Sequence, residues 1–148
     1  MGSTYHSLHY HWICSTKHRR PLIAAEWRSR FHQYLGGTVR GLDGVALKVG
    51  GVEDHVHLLA RFGRKISQAE WVKELKRVSN LWLRDRGLQG FEWQGGYANF
   101  SVSQSNLNQV KKYVANQKEH HRKLSFQEEV RALLTKHEME WDERYLWD

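Results

Sequence analysis

Two long stretches with helical spacing, each set between short runs of alternating apolar residues, restrict this chain more than any other feature. Residues 5–15 alternate, with Leu8, Tyr10, Trp12 and Cys14 on one side and Ser7, His9, His11 and Ile13 on the other, which is the period of a strand. After Pro21, the only proline, Trp27, Phe31, Leu35, Val39 and Leu42 recur at helical spacing and predict a helix that stops in the Gly41 to Gly44 turn. Val45, Leu47 and Val49 alternate again, and a short Gly50–Asp54 break leads into a β-prone stretch from His55 to Phe62, an antiparallel hairpin. Ser67 followed by Glu70 resembles a capping box, opening a helix to about Arg86 with Trp71, Leu75, Val78 and Trp82 on one side. Phe91 to Ser103 contains Gly95-Gly96 and ends in alternating Phe100 and Val102, a loop feeding a last strand. A helix is predicted from Asn106 to about Arg122. Ser125 with Glu128 caps a short one through Val130, Leu133 and Leu134, ahead of Trp141, Tyr145 and Trp147.

The order strand, helix, strand, strand, helix, strand, helix predicts an α+β fold. It is a ferredoxin-like (split βαβ) antiparallel sheet with helices on one face and a C-terminal helical extension at about 123–148. At 148 residues the chain reads as a single domain, 1–148. Such folds serve many functions, so the site must decide.

Charge narrows the partners. The chain carries 23 Lys and Arg against 16 Asp and Glu, for a net charge of +7, and five of those acids fall in the last stretch from Glu138 to Asp148. A basic chain suits nucleic acid. The other side of the second helix carries Lys73, Lys76, Arg77 and Arg84, a candidate DNA-binding face, with Lys112 on the later helix. The sole cysteine, Cys14, forms no internal disulfide, and no cysteine pair exists for a zinc knuckle. No apolar run is long enough for a membrane span and no signal-peptide pattern opens the chain, so a soluble, cytoplasmic protein is expected.

His55-Val56-His57 lies in a strand, where side chains alternate, so both imidazoles project from one face. Two nitrogen ligands side by side make an open metal site with positions left for a third protein ligand, phosphate oxygens and water. Two histidines two apart also arise by chance among ten. The helix from Asn106 offers Tyr113 and Gln117 at i and i+4, a phenol and an amide oxygen about one turn apart on one face. An amide carbonyl is a hard oxygen ligand suited to Mg²⁺ or Mn²⁺. Read alone, Tyr113 is as ordinary as any packed aromatic.

Together, a His-hydrophobic-His strand and a later Tyr-x-x-x-Gln helix resemble the HUH transposases with one catalytic tyrosine, those of the simplest insertion sequences and their REP-associated relatives. The resemblance takes in Tyr10-His11 with Ser15-Thr16-Lys17, Glu53-Asp54-His55-Val56-His57, and Trp93-Gln94-Gly95-Gly96-Tyr97 with Phe100-Ser101-Val102-Ser103. It continues through Tyr113-Val114-Ala115-Asn116-Gln117 with Glu119-His120-His121 to the tail Asp142-Glu143-Arg144-Tyr145-Leu146-Trp147. It implies a transposase that cleaves and rejoins single-stranded DNA, recognising hairpins, through a 5′-phosphotyrosine on Tyr113, with the metal on His55, His57 and Gln117. It also implies a homodimer, with the tyrosine helix supplied by the same subunit as the histidines or by the other, and no organic cofactor.

Three other readings stay open. One is a domesticated REP-hairpin endonuclease of the same family. Another is a non-catalytic RNA or single-stranded DNA module on a ferredoxin-like sheet, although no Lys/Arg-Gly-Phe/Tyr signature is present. The last is a zinc hydrolase joining His55 and His57 to His9, His11, His120 or His121. Among the six tyrosines, Tyr97 is the rival nucleophile, because its Gly-Gly loop is free to bring a phenol to a phosphate.

Overall fold

Along β1 (His9–Ser15), Tyr10, Trp12 and Cys14 turn to one side of a sheet and His11 and Ile13 to the other, so the alternation read from the sequence becomes two buried faces. The computed structural model describes residues 2–148. Four strands, β1, β2 (Val45–Gly51), β3 (His55–Arg61) and β4 (Ala98–Val102), hydrogen-bond in the order β2-β3-β1-β4, each pair antiparallel. This is the ferredoxin-like arrangement. The inner strand β3 is buried along its length from His55 to Ala60, as a strand covered on both faces must be.

Helices α1 (Ala25–Gly41) and α2 (Gln68–Asp85) cover one face. Phe31, Leu35 and Val39 of α1 and Trp71, Val72, Leu75 and Leu83 of α2 close over Trp12, Cys14, Val56, Leu58 and Ala60. Ser67 does cap α2, accepting the Glu70 backbone N–H. The hairpin departs from simple alternation in β2, where the register slips between Ala46 and Lys48. That bulge brings Val49 onto the face of Ala46 and leaves Leu47 on the other, because one extra residue reverses every side chain after it.

The second face is covered by the C-terminal elements. The helix expected over 106–122 is divided: α3 (Leu107–Ala115) is followed by a single turn, α4 (Gln117–His120). Between them Asn116, at φ −99° and ψ 24°, leaves the helical region, a conformation its short polar side chain tolerates. Val114, Leu107 and Val110 of α3 pack on Leu47, Leu59 and Val102. Helix α5 (Phe126–Lys136), opened by a full Ser125–Glu128 capping box, places Phe126, Val130 and Leu134 on Ile13 and Phe100. A last turn, α6 (Glu143–Leu146), precedes Trp147, which packs on this second cluster.

The approach of α3 to β2 depends on a missing side chain. A Cβ at Gly50 would stand 2.0 Å from the Val114 carbonyl oxygen, and neighbouring Gly51, at φ +148°, would bring one to 2.3 Å from the His55 carbonyl. Only glycine fits either place. Gly50→Ala should therefore lift α3 and destabilise the protein by about 1–3 kcal/mol in urea unfolding. Gly36→Ala in α1, whose added carbon meets nothing nearer than 3.7 Å, should be neutral or stabilising.

Candidate active site

The two apolar clusters on the second face do not merge, because a polar seam runs between them. His55 and His57 project into it from β3, both fully buried. Each imidazole is held from behind. Asp54 lies 2.6 Å from His55 Nδ1, and His11 Nε2 lies 2.7 Å from His57 Nδ1. Fixing the near nitrogen aims the far one, Nε2, into the seam, which is how metal-binding histidines are oriented.

Three further groups meet those nitrogens. The Gln117 amide oxygen is 3.2 Å from His55 Nε2 and 3.0 Å from His121 Nε2. Glu129 of α5, only 1% exposed, puts Oε1 at 3.1 Å from His57 Nε2, 3.1 Å from His121 Nε2 and 3.6 Å from His55 Nε2. Its other oxygen accepts the Tyr113 hydroxyl. Among the described residues, His55, His57, His121 and Glu129 form a group able to hold a metal ion, their ligand atoms lying within 4.8 Å of one another.

The protons reveal what the seam requires. With Asp54 taking the Nδ1 proton, His55 Nε2 is an acceptor facing two acceptor oxygens, a set that only a proton or a cation between them satisfies. His121 Nδ1 donates to the Leu124 carbonyl at 2.6 Å while Nε2 faces Gln117 and Glu129 oxygens, so His121 carries both protons. Burial alone would lower its pKa, but the Glu129 hydrogen bond and charge outweigh that and raise it. Burial likewise opposes the Glu129 carboxylate, yet hydrogen bonds from His121, His57 and Tyr113 hold it well below the usual range. Burial, then the charge of Glu129, push the Tyr113 phenol upward. Burial lowers His57 to about 4 and His11 to about 3.

His55, His57, Gln117 and Tyr113 are thus in one place, supplied by a single chain. The phenol and amide keep their one-turn relation across the Asn116 break, with Gln117 Nε2 donating to the Tyr113 carbonyl at 3.3 Å. Tyr97 is elsewhere, its hydroxyl accepting from Gln68 at 3.3 Å. A cavity of about 300 Å³ opens on Tyr113 and His11, rimmed by Asn106, Gln109, Lys136 and His137. Of the histidines in the zinc alternative, His121 joins the cluster, His11 supports it from behind, and His120 lies over the Tyr113 ring, centroids 4.6 Å apart.

The basic face is less simple. Lys76 spends its ammonium on the carbonyls of Gln94, Gly95 and Gly96 at 2.8, 3.1 and 3.3 Å, pinning the Gly-Gly loop. Arg77 pairs with Glu74 at 2.8 Å. Lys76, Arg77 and Arg84 nevertheless line an open groove of about 890 Å³ with Lys17, His18 and Arg19. Lys73 and Lys112 are exposed and do not line that groove.

Sequence reading missed Glu129. The signal was present, since Phe126, Glu129, Val130 and Leu134 recur at helical spacing and all are buried, so a carboxylate occupies an apolar stripe.

The family model described as "Transposase IS200 like" matches residues 4–117. A crystal structure of a protein from Deinococcus radiodurans R1 designated a transposase superposes with a TM-score of 0.63 and 23% identity, covering 79% of this chain and 96% of that one. A REP-associated tyrosine transposase bound to a REP hairpin superposes with a TM-score of 0.56 and 11% identity, covering 77% of this chain and 70% of that one. Both share the fold. No curated protein matches the chain.

Neutral buried imidazoles make stability depend on pH. His11 and His57, and His32 in α1 at about 4, take up protons in the unfolded chain near pH 6.5 but not in the folded one. Stability should therefore fall as pH drops from about 6.5 towards 4, by roughly 1.4 kcal/mol per pH unit for each histidine involved. His121, shifted upward, acts in the window above 6.5, and Glu129, shifted downward, acts below the ordinary carboxylate range near ~4.3. Urea unfolding of the metal-free protein at a series of pH values measures this, and a flat profile between 6.5 and 4 contradicts it.

Proposed function

We propose that this chain, which belongs to the IS200-like transposase family, cuts and rejoins single-stranded DNA by transferring a phosphodiester to Tyr113 with the help of a divalent cation, Mg²⁺ or Mn²⁺, on His55, His57 and Gln117. The observation that carries this reading is convergence. Tyr113 Oη shares the Glu129 carboxylate with His57, and the Gln117 amide oxygen lies 3.2 Å from His55 Nε2. The residues fit a cation, because the Asp54 and His11 contacts turn both Nε2 atoms to the same point as two oxygens, and His57 Nε2 becomes a ligand once its proton moves to Nδ1.

In the proposed reaction the Tyr113 oxygen attacks phosphorus, the bond to the 3′ oxygen breaks, and the chain is left with a 5′-phosphotyrosine and a free 3′-OH. A cation bound there would supply Lewis-acid stabilisation of charge on the phosphate and the departing oxygen. One phosphodiester replaces another, so attack by a 3′-OH rejoins strands without ATP. His55 and His57 aim their Nε2 atoms into the seam, and Gln117 holds its oxygen between His55 and His121. The 300 Å³ opening beside Tyr113, with Lys136 and His137 on its rim, is the route by which a phosphate reaches the phenol. The groove lined by Lys17, Arg19, Arg77 and Arg84 suits the flanking backbone. Hairpin DNA, the ligand of the REP-associated structure, is the substrate class we assign, and a homodimer supplies the two cleavages that moving a segment needs.

The test is incubation with labelled single-stranded hairpin DNA and Mg²⁺ or Mn²⁺, read on a denaturing gel. Wild type should form a protein–DNA conjugate that EDTA prevents. Tyr113→Phe should abolish it while still binding DNA, and Tyr97→Phe should still form it. His55→Ala with His57→Ala should remove cleavage and leave hairpin binding largely intact, because phosphate contacts supply most of the affinity. A conjugate mapped to any residue other than Tyr113 overturns the assignment.

A further inference from the structure

We propose that Glu129 completes the metal site as its carboxylate ligand through one oxygen while the other keeps the Tyr113 hydroxyl, so that cation and nucleophile are held by a single side chain of the C-terminal helix. The proposal rests on the metal-site reading above and adds to it a residue outside the family-matched segment 4–117.

Three observations lead there. Glu129 Oε1 is the point on which the site converges, 3.1, 3.1 and 3.6 Å from the Nε2 atoms of His57, His121 and His55. With the Nε2 proton of His121 given up, ligand atoms at such spacing need only a small movement to share one ion at metal–ligand distances of about 2.0–2.2 Å. Charge is the second. His55, His57 and Gln117 are neutral as ligands, and a divalent cation buried among them alone keeps its full charge in a poorly solvated place. Among the described residues Glu129 is the one carboxylate facing the far nitrogens, since Asp54 touches only His55 Nδ1. Hard cations of the Mg²⁺ and Mn²⁺ kind prefer such an oxygen.

Packing is the third. Phe126, Val130 and Leu134 give α5 an apolar face, and at 1% exposure position 129 belongs to it. An aliphatic residue there is usually as stable as a buried ion pair or more so. Packing alone therefore gives no reason for a carboxylate. Its bond to Tyr113 gives one, because α3 and α5 are separate elements that meet over the sheet at this carboxylate.

Mn²⁺ titration of the full chain, read by electron paramagnetic resonance of the free ion, tests the ligand role in wild type, Glu129→Gln, Tyr113→Phe and His55→Ala. Glu129→Gln should weaken binding by about 10-fold or more, and Tyr113→Phe by no more than about twofold. If His55→Ala binds like wild type, the metal site itself is wrong and Glu129 falls with it. If His55→Ala loses binding and Glu129→Gln keeps it, the Glu129 proposal alone fails. Should Glu129→Gln misfold by circular dichroism, a crystal of the wild-type protein with Mn²⁺ decides. An anomalous peak within about 2.2 Å of a Glu129 oxygen, with Tyr113 still on the other, is expected. A peak ligated by His55, His57 and Gln117 with Glu129 turned away overturns it.

Discussion

A single buried carboxylate ties together the half of the molecule where chemistry is possible. Glu129 accepts from His57 on the sheet, from Tyr113 on α3, and from His121 beyond α4, while its own helix packs through Phe126 and Val130 on Ile13 and Phe100. Each partner is itself buried or half-buried, and each loses a hydrogen bond if the carboxylate goes, a cost of about 1–3 kcal/mol per unsatisfied group. The seam is therefore a unit. Tyr113 owes its register with the histidines less to α3 alone than to this shared acceptor, and Gly50 sets how closely α3 can bring it.

The two faces of the sheet divide the work. The face under α1 and α2 is a continuous apolar core in which Trp12, Phe31 and Trp71 are fully buried. The other face has two small apolar clusters with the imidazoles between them. Because β3 serves both, Val56 and Leu58 anchor the strand in the large core while His55 and His57 stand on the other side. A strand held that firmly keeps two ligands in fixed geometry, which a site on loops does less well.

What the sequence showed follows from period and chemistry. Alternation and helical spacing located all four strands and both long helices, and the His-Val-His spacing placed two imidazoles on one face, because those periods are local properties of the backbone. The bulge at Leu47 was hidden, since an extra residue leaves the run as β-prone as before while exchanging its faces. The break at Asn116 was hidden too, because one Asn lowers helix propensity only modestly and does not by itself mark a break. Glu129 was the largest omission. One charged residue in an apolar stripe reads as a surface position until the imidazoles opposite it are known, and they come from residues 72 and 74 positions earlier. Non-local compensation of that kind carries no sequence period.

The basic helix shows why a count of cations does not give a binding surface. Lys76 directs its ammonium at three loop carbonyls, and Arg77 is paired, so neither presents a free donor fork to a phosphate as the structure stands. Their roles differ even so. Arg77 is neutralised locally by Glu74, whereas carbonyl oxygens leave the charge of Lys76 in place, and a cation on the wall of a groove attracts polyanions without touching them. Lys76 therefore acts twice, fixing the Gly95-Gly96 loop and contributing to the groove's potential. The chain end folds over the same loop, where Gly96 N–H donates to the Asp148 carbonyl at 3.0 Å and Arg19 reaches the Trp147 carbonyl at 3.4 Å. Asp148 at the end of that tail thus stands beside the cations of the groove, while Asp142 and Glu143 pair with Arg144 and Arg131. The net +7 of the chain is an average over two regions of opposite sign, and the field met by an approaching DNA strand depends on where the tail lies rather than on the total.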